Sequence, residues 1–178
     1  MTIMPTISRP SASEHAPYYS RYIDLVPEGD ILQILDVQPK ATLSHLSTVD
    51  EEKAKFRYAQ GKWSIKEVLG HIIDTERVFA FRAFAFSRND KNPFPGMEQE
   101  EYTAGANYDT RPFAGIVDEF LEVRRASVLL FRNFDPGMFF RKGTASGYEF
   151  TVRCFPFIIA GHELHHRQVL NDRYLKHV

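Results

Sequence analysis

The segment from Thr151 to Tyr174 carries apolar side chains at alternating spacings of three and four residues, the period of a helix with one buried face. The positions on this face are Val152, Phe155, Ile159, His162, His166 and Val169. Residues four apart are neighbours on one side of a helix, so the two imidazoles lie together. Each buried imidazole needs partners for its ring nitrogens, and this spacing allows His162 and His166 to share a metal ion.

A second helix pattern contributes another histidine. Ser64 with Glu67 forms a capping box, and an apolar stripe follows it to about Arg88. The stripe consists of Ile65, Leu69, Ile72, Phe79, Ala83 and Phe86. Glu76 interrupts the stripe and therefore requires a buried cation or hydroxyl. His71 lies at its flank, so it approaches the core from a different helix than the first pair.

Two further helices complete a predicted all-α, four-helix bundle. One runs from about Ile31 to Leu46 behind Asp30 as N-cap and contains Pro39, and the other spans about Pro112 to Asn133. We find no convincing strand pattern, and Thr151 is expected to cap the last helix. The connection 89–110 is long enough for the second and third helices to run parallel, giving an up-down-down-up order.

The composition of the chain indicates one domain and argues against several classes of partner. We expect a flexible lead-in over residues 1–13 and one domain over residues 14–178. The net charge of −1, with no basic run, argues against nucleic acid or an anionic membrane as partner. Cys154 is the only cysteine, which excludes an internal disulfide and a cysteine-based zinc site and suits a core thiol. Without a signal peptide or a membrane-spanning apolar stretch, a cytoplasmic location is expected.

His71, His162 and His166 are the candidate metal ligands. Three imidazoles suit a borderline divalent ion, zinc or nickel above all, and leave a coordination position for water or substrate. The alternative is that the three are core histidines satisfied by the backbone or by one another. Asp74 could orient His71 by accepting a hydrogen bond from its free ring nitrogen, and His165 could support the site from the neighbouring face.

The same segment also matches His-Glu-x-x-His, the helix motif of zinc proteases, in which Glu163 would be the general base. Only 12 residues follow His166, which is too few for the usual later ligand on another element. No predicted sheet precedes the helix to hold a peptide. We therefore do not favour a protease.

Taken together, Trp63 to His71, then Asp74 and Glu76, and finally His162 to His166 resemble the DinB/YfiT-like superfamily. The looser resemblance extends from about Tyr18 to Leu175. It implies an up-down-down-up four-helix bundle, a divalent metal held by His71, His162 and His166, and a homodimer. Some members of that family transfer low-molecular-weight thiols, so the resemblance also implies a small-molecule substrate of that kind.

Two functional hypotheses follow. In the first, the chain is a metal-dependent enzyme that transfers a thiol to a small electrophile or performs a related hydrolysis. In the second, it is a non-catalytic, dimeric metal-binding protein with a role in binding or stress response. An open coordination position beside a pocket favours the first hypothesis, and a closed site favours the second.

Overall fold

A computed structural model describes residues 7–178. Its α-helices are α1 (Ser20–Ile23), α2 (Ile31–His45), α3 (Ile65–Ser87), α4 (Gln99–Gly105), α5 (Phe113–Arg132) and α6 (Cys154–Val169). Two strands, β1 (Lys142–Ala145) and β2 (Tyr148–Thr151), form an antiparallel hairpin before α6. A π-helical turn, Leu170–Tyr174, extends α6. Within this described part of the chain, no helix has the length and apolar composition needed to cross a membrane.

The long helices α3 and α5 run parallel. Near the start of both, Lys66 Nζ donates to the Arg111 carbonyl at 2.7 Å. Further along both, Arg77 Nη2 donates to Glu119 Oε1 at 2.5 Å. The residue numbers rise together, which requires the same direction, and the long connection between the two helices makes it possible.

Helices α2 and α6 form the second parallel pair. Gln38 Nε2 donates to the Ala160 carbonyl at 2.8 Å, and one turn later Thr42 Oγ1 donates to Glu163. The α3 helix runs against α6, because its later residue Phe79 packs on the first turn of α6 whereas His71 meets the second half. The predicted up-down-down-up four-helix bundle is therefore confirmed.

Local sequence signals set the start of α3 and the course of α2. Ser64 and Glu67 form the predicted capping box, with Glu67 Oε2 accepting from the Ser64 backbone N–H at 2.8 Å. Asp30 caps α2 as predicted, and the helix passes through Pro39 without ending. Proline lacks the N–H that would bind the Leu35 carbonyl one turn earlier. That carbonyl is free to accept a bond from elsewhere.

The bond comes from Arg124 of α5, which is 2% exposed. Its Nη1 donates to the Leu35 carbonyl at 3.3 Å and lies 2.7 Å from Glu163 Oε2 of α6. Its Nε and Nη2 each donate to Glu76 of α3 at 2.9 Å, which confirms that Glu76 meets a buried cation. Burial by itself would lower the pKa of Arg124, but the two carboxylates outweigh burial and raise it. One side chain thus joins all four helices of the bundle.

The start of the last helix differs from the prediction. Thr151, the predicted cap, instead ends β2, and α6 begins only at Cys154. The backbone N–H of Val152 donates to the Arg141 carbonyl at 3.0 Å, so the extended pairing continues past the hairpin. Each strand has only four residues, which is too short to leave a clear alternating pattern. Neither strand is therefore evident from the sequence.

The connection 89–110 is ordered by this hairpin. Phe94 donates its N–H to the Thr144 carbonyl at 2.9 Å and accepts the Ser146 N–H at 3.0 Å. Beyond this anchor the chain forms α4, which the sequence analysis did not predict. The connection therefore packs along one side of α3.

The lead-in predicted for residues 1–13 begins outside the described residues. Its described part contacts the bundle, since Ile7 is buried and Arg9 donates to the carbonyls of Ile23 and Val26 at 2.6 and 2.7 Å. A turn of 3-10 helix, Ala12–Glu14, follows it.

Replacing Arg124 with methionine is expected to lower the free energy of unfolding by about 3–5 kcal/mol, because two buried carboxylates lose their cation. Urea unfolding followed by circular dichroism measures the change. Arg125→Met is the matched control, since Arg125 is exposed on the same helix, and should change stability by less than about 0.5 kcal/mol. A loss below about 1 kcal/mol for Arg124→Met would show that the network contributes little.

Candidate metal centre

Three imidazoles from two antiparallel helices converge inside the bundle. His71 Nε2 of α3 lies 3.1 Å from His162 Nε2 of α6, and His166 Nε2 lies 3.1 Å from the same atom. The three nitrogens all lie within 4.8 Å of one another. The structure therefore brings together the three histidines that the sequence spacing selected.

The donor set fits a divalent metal ion. Three imidazole nitrogens bound to one tetrahedral zinc at about 2.0–2.1 Å stand about 3.4 Å apart, close to the observed contacts. The three Nε2 atoms face one another, whereas an ordinary core histidine would direct its nitrogens to backbone or side-chain partners. His166 Nδ1 is also buried without a hydrogen-bond partner among the described residues. This arrangement favours ligation over a purely structural role.

All three imidazoles are neutral at neutral pH. Burial, with a smaller contribution from His165, lowers the pKa of His71 from 6.5 to about 4. Burial and the neighbouring imidazoles lower the pKa values of His162 and His166 well below the ordinary value. A metal ion competes with protons for these nitrogens, so neutral rings are ready to bind one.

Aromatic side chains hold the rings in place. The Trp63 ring lies 4.8 Å from that of His71, and the Tyr22 ring meets His162 edge-on at 5.3 Å. Tyr22 can reach this position because α1 packs directly on α6 at Gly161, where any Cβ would collide with the Tyr22 carbonyl. The glycine before His162 is therefore a requirement of the site.

Two clefts open beside the histidines. The first, which we call the α3 cleft, has a volume of about 350 Å³ and is lined by His71, His162 and Arg82, among others. The second, the α6 cleft, has a volume of about 240 Å³ and is lined by His165 and His166, among others. Tyr22 lines both. The ring nitrogens thus lie where a small molecule could approach from either side.

The neighbours expected for His71 are arranged differently from the sequence prediction. Thr75 Oγ1, rather than Asp74, lies 3.4 Å from His71 Nδ1. Asp74 instead faces Arg77, at 3.6 Å, and Tyr108. A hydroxyl beside Nδ1 suits the tautomer that leaves the Nε2 lone pair free.

His165, the other predicted neighbour of the site, stands outside the three converging nitrogens. Its ring is half-buried and lies 5.0 Å from that of His166 and 5.4 Å from that of Tyr22. It therefore lines the α6 cleft next to the candidate ligands.

Glu163, the general base of the protease motif, points away from the histidines. It is fully buried, accepts from Thr42 and pairs with Arg124. A carboxylate that faces Thr42 and Arg124 is not placed beside the imidazole nitrogens, where a reacting water would lie. The position of Glu163 therefore argues against a zinc protease.

Sequence reasoning missed Tyr22, Arg82 and Arg124. Arg82 continues the row formed by His71, Thr75 and Val78 at helical spacing, so a signal for it was present. Arg124 could have been sought as the cation that Glu76 requires. Nothing in the sequence around Tyr22 indicates that it contacts a residue 140 positions later.

Comparison with known proteins gives two findings. A family model described as the DinB superfamily matches residues 34–170. Among solved structures, the chain is similar to YfiT from Bacillus subtilis, with a TM-score of 0.71 and 15% sequence identity over 93% of this chain and 90% of that one. YfiT is described as a probable metal-dependent hydrolase with an unusual four-helix bundle topology. No protein with a curated description matches the chain in sequence.

The metal-free protein is expected to lose stability on acidification. Between the ordinary histidine pKa of 6.5 and the His71 value of about 4, the unfolded chain binds a proton that the folded chain does not. One such group lowers the free energy of unfolding by roughly 2 kcal/mol between about pH 7 and about pH 5. Urea unfolding in the presence of chelator measures the loss, which should be smaller in His71→Gln and unchanged in the exposed-site control His45→Gln. An equal loss of stability in wild type, His71→Gln and His45→Gln would show that His71 is not the group responsible.

Proposed function

The chain belongs to the DinB superfamily, and from this premise we propose that it is a metal-dependent enzyme acting on a small molecule. His71, His162 and His166 would hold one divalent ion, zinc or nickel. The observation that carries the proposal is the convergence of three neutral Nε2 atoms at the meeting point of two clefts. A site that is open to small molecules on two sides is built for exchange rather than for structural support.

The reaction that we propose is transfer of a low-molecular-weight thiol to a small electrophile, or a related hydrolysis. His71, His162 and His166 would hold the divalent ion, which would act as a Lewis acid and make a thiol or water nucleophilic at neutral pH. In the transfer, a carbon–sulfur bond forms, the bond to the leaving group breaks, and the thiol proton departs with the leaving group or to solvent. The description of YfiT as a probable hydrolase supports the hydrolytic variant.

The protein's own side chains contribute position and exclusion of water. Thr75 sets the ring of His71, and the rings of Trp63 and Tyr22 pack against the imidazoles and keep water from their flanks. Tyr22 and Tyr18 share a hydrogen bond of 3.0 Å between their hydroxyls at the edge of both clefts. These hydroxyls could donate to a leaving group, whereas the buried Glu163 cannot serve as base.

The second candidate function is a non-catalytic metal-binding protein. It needs the same three ligands but no substrate, so the clefts favour the enzyme. The homodimer and the cytoplasmic location stay predictions under either function.

Purified, untagged wild-type protein is expected to contain one zinc or nickel ion per chain by inductively coupled plasma mass spectrometry. His71→Ala and His166→Ala should each lose most of the metal, because two imidazoles bind a divalent ion far more weakly than three. His45→Ala, an exposed histidine on α2, is the control and should retain it. Wild-type protein that stays metal-free after incubation with both metals would overturn the proposed site.

The metal-loaded protein is expected to accelerate either the reaction of cysteine with 1-chloro-2,4-dinitrobenzene or the hydrolysis of 4-nitrophenyl acetate. The rate should disappear with chelator, return with zinc or nickel, and be absent in His71→Ala. A protein that binds its metal and shows no metal-dependent rate in either assay would favour the non-catalytic alternative.

A further inference from the structure

One buried cation in the described part of the chain lacks a counter-charge. Three basic side chains there are nearly inaccessible: Lys66, Arg82 and Arg124, at 0%, 4% and 2% exposure. Lys66 pairs with Glu51, and Arg124 with Glu76 and Glu163. Among residues 7–178, Arg82 has no carboxylate within ion-pair distance. A charge removed from water without a partner is costly, so its retention calls for a functional reason.

The contacts of Arg82 hold it without neutralising it. Its Nη2 donates to the Pro95 carbonyl at 2.7 Å, and its guanidinium lies beside the Tyr19 hydroxyl. Burial lowers the pKa of Arg82, which agrees with an uncompensated charge. A guanidinium has five N–H donors in a planar fork, so these two contacts leave donors for a further acceptor.

Arg82 lines the same α3 cleft as two of the candidate metal ligands. It lies eleven residues after His71 on one face of α3, a distance of about 16 Å along the helix axis. The Cα–Cβ bonds of a helix tilt toward its start, a geometry that shortens the span between the Arg82 side chain and His71. Tyr19 and Tyr22 connect the two ends of the cleft, with ring centroids 6.3 Å apart. A molecule of modest length could touch the histidines and the arginine at once.

We propose that Arg82 binds a carboxylate of the substrate while the reactive group of the same molecule lies at His71 and His162. The substrate class is then a small molecule with a carboxylate at one end and a thiol, or a bond open to attack, at the other. A carboxylate carries the single charge that one guanidinium balances and matches its fork in a bidentate contact. The inference rests on the proposed function for the reactive end, whereas the carboxylate contact can be tested without it.

The carboxylate contact is tested on metal-free protein, so that no ion competes for the probe. Hexanoate is titrated into ¹⁵N-labelled wild type, Arg82→Gln and Arg82→Lys, with Arg21→Gln as a control on the α6 cleft. In wild type we expect hexanoate to cause saturable changes in the amide chemical shifts of Arg82 and its neighbours. In Arg82→Gln the affinity for hexanoate should fall roughly ten- to hundredfold. Arg21→Gln should match wild type, and the charge-conserving Arg82→Lys should bind with intermediate affinity.

Several outcomes would overturn the inference. Hexanol binding as well as hexanoate would show that the chain, and not the charge, is recognised. Inorganic phosphate binding at Arg82 more tightly than hexanoate would contradict the carboxylate class. Both comparisons use wild-type protein, so they decide the matter even if Arg82→Gln fails to fold, which its circular dichroism spectrum would reveal.

A second measurement links the two ends of the cleft. Zinc-loaded protein is titrated by calorimetry with 6-mercaptohexanoate and 6-mercaptohexanol. We expect 6-mercaptohexanoate to bind at least about tenfold more tightly than the alcohol, and Arg82→Gln to remove that advantage. If hexanoate binds at Arg82 but no thiol binds zinc-loaded protein, the proposed thiol chemistry fails while the carboxylate site stands. If thiols bind equally with and without the carboxylate, the carboxylate site fails while the metal site stands.

Discussion

The buried guanidinium of Arg124 is the constraint on which the bundle depends. Its two carboxylate partners come from α3 and α6, and its carbonyl partner from α2 is Leu35, whose helical donor would be the N–H that Pro39 lacks. Glu163 is adjacent to His162, so the direction of its carboxylate fixes the rotation of α6 about its own axis. That rotation sends His162 and His166 toward α3. The ion pair and the histidine cluster therefore occupy neighbouring faces of one helix, and the first orients the second.

Local spacing explains what the sequence revealed. The three candidate ligands lie on strongly periodic helices, where positions four apart must be neighbours whatever the tertiary structure. The capping box at Ser64, the cap at Asp30 and the need of Glu76 for a cation also depend on short-range rules, and all three are confirmed. The fold order followed from the length of one connection, which alone permits α3 and α5 to run parallel.

Features that depend on packing between distant segments could not be predicted from local spacing. Both Asp74 and Thr75 lie one turn from His71, and the choice between them depends on Tyr108, which arrives from a distant segment and takes Asp74 away. Thr151 has the chemistry of a helix cap, yet it pairs with Lys142 across the hairpin and therefore ends a strand. In each case a contact between segments far apart in sequence outweighs a local preference.

The parallel course of α3 and α5 has an electrostatic consequence. Each helix carries a partial positive charge at its first turn, and in this topology the two positive ends lie side by side instead of alternating with negative ones. Glu51 lies at the start of both helices. It accepts the Phe113 N–H at the start of α5, at 2.8 Å, and pairs with Lys66 in the first turn of α3. Asp109 accepts from the cap residue Ser64 at 2.5 Å. Two carboxylates, each also paired with a basic side chain, thus stand at the positive ends of these two macrodipoles.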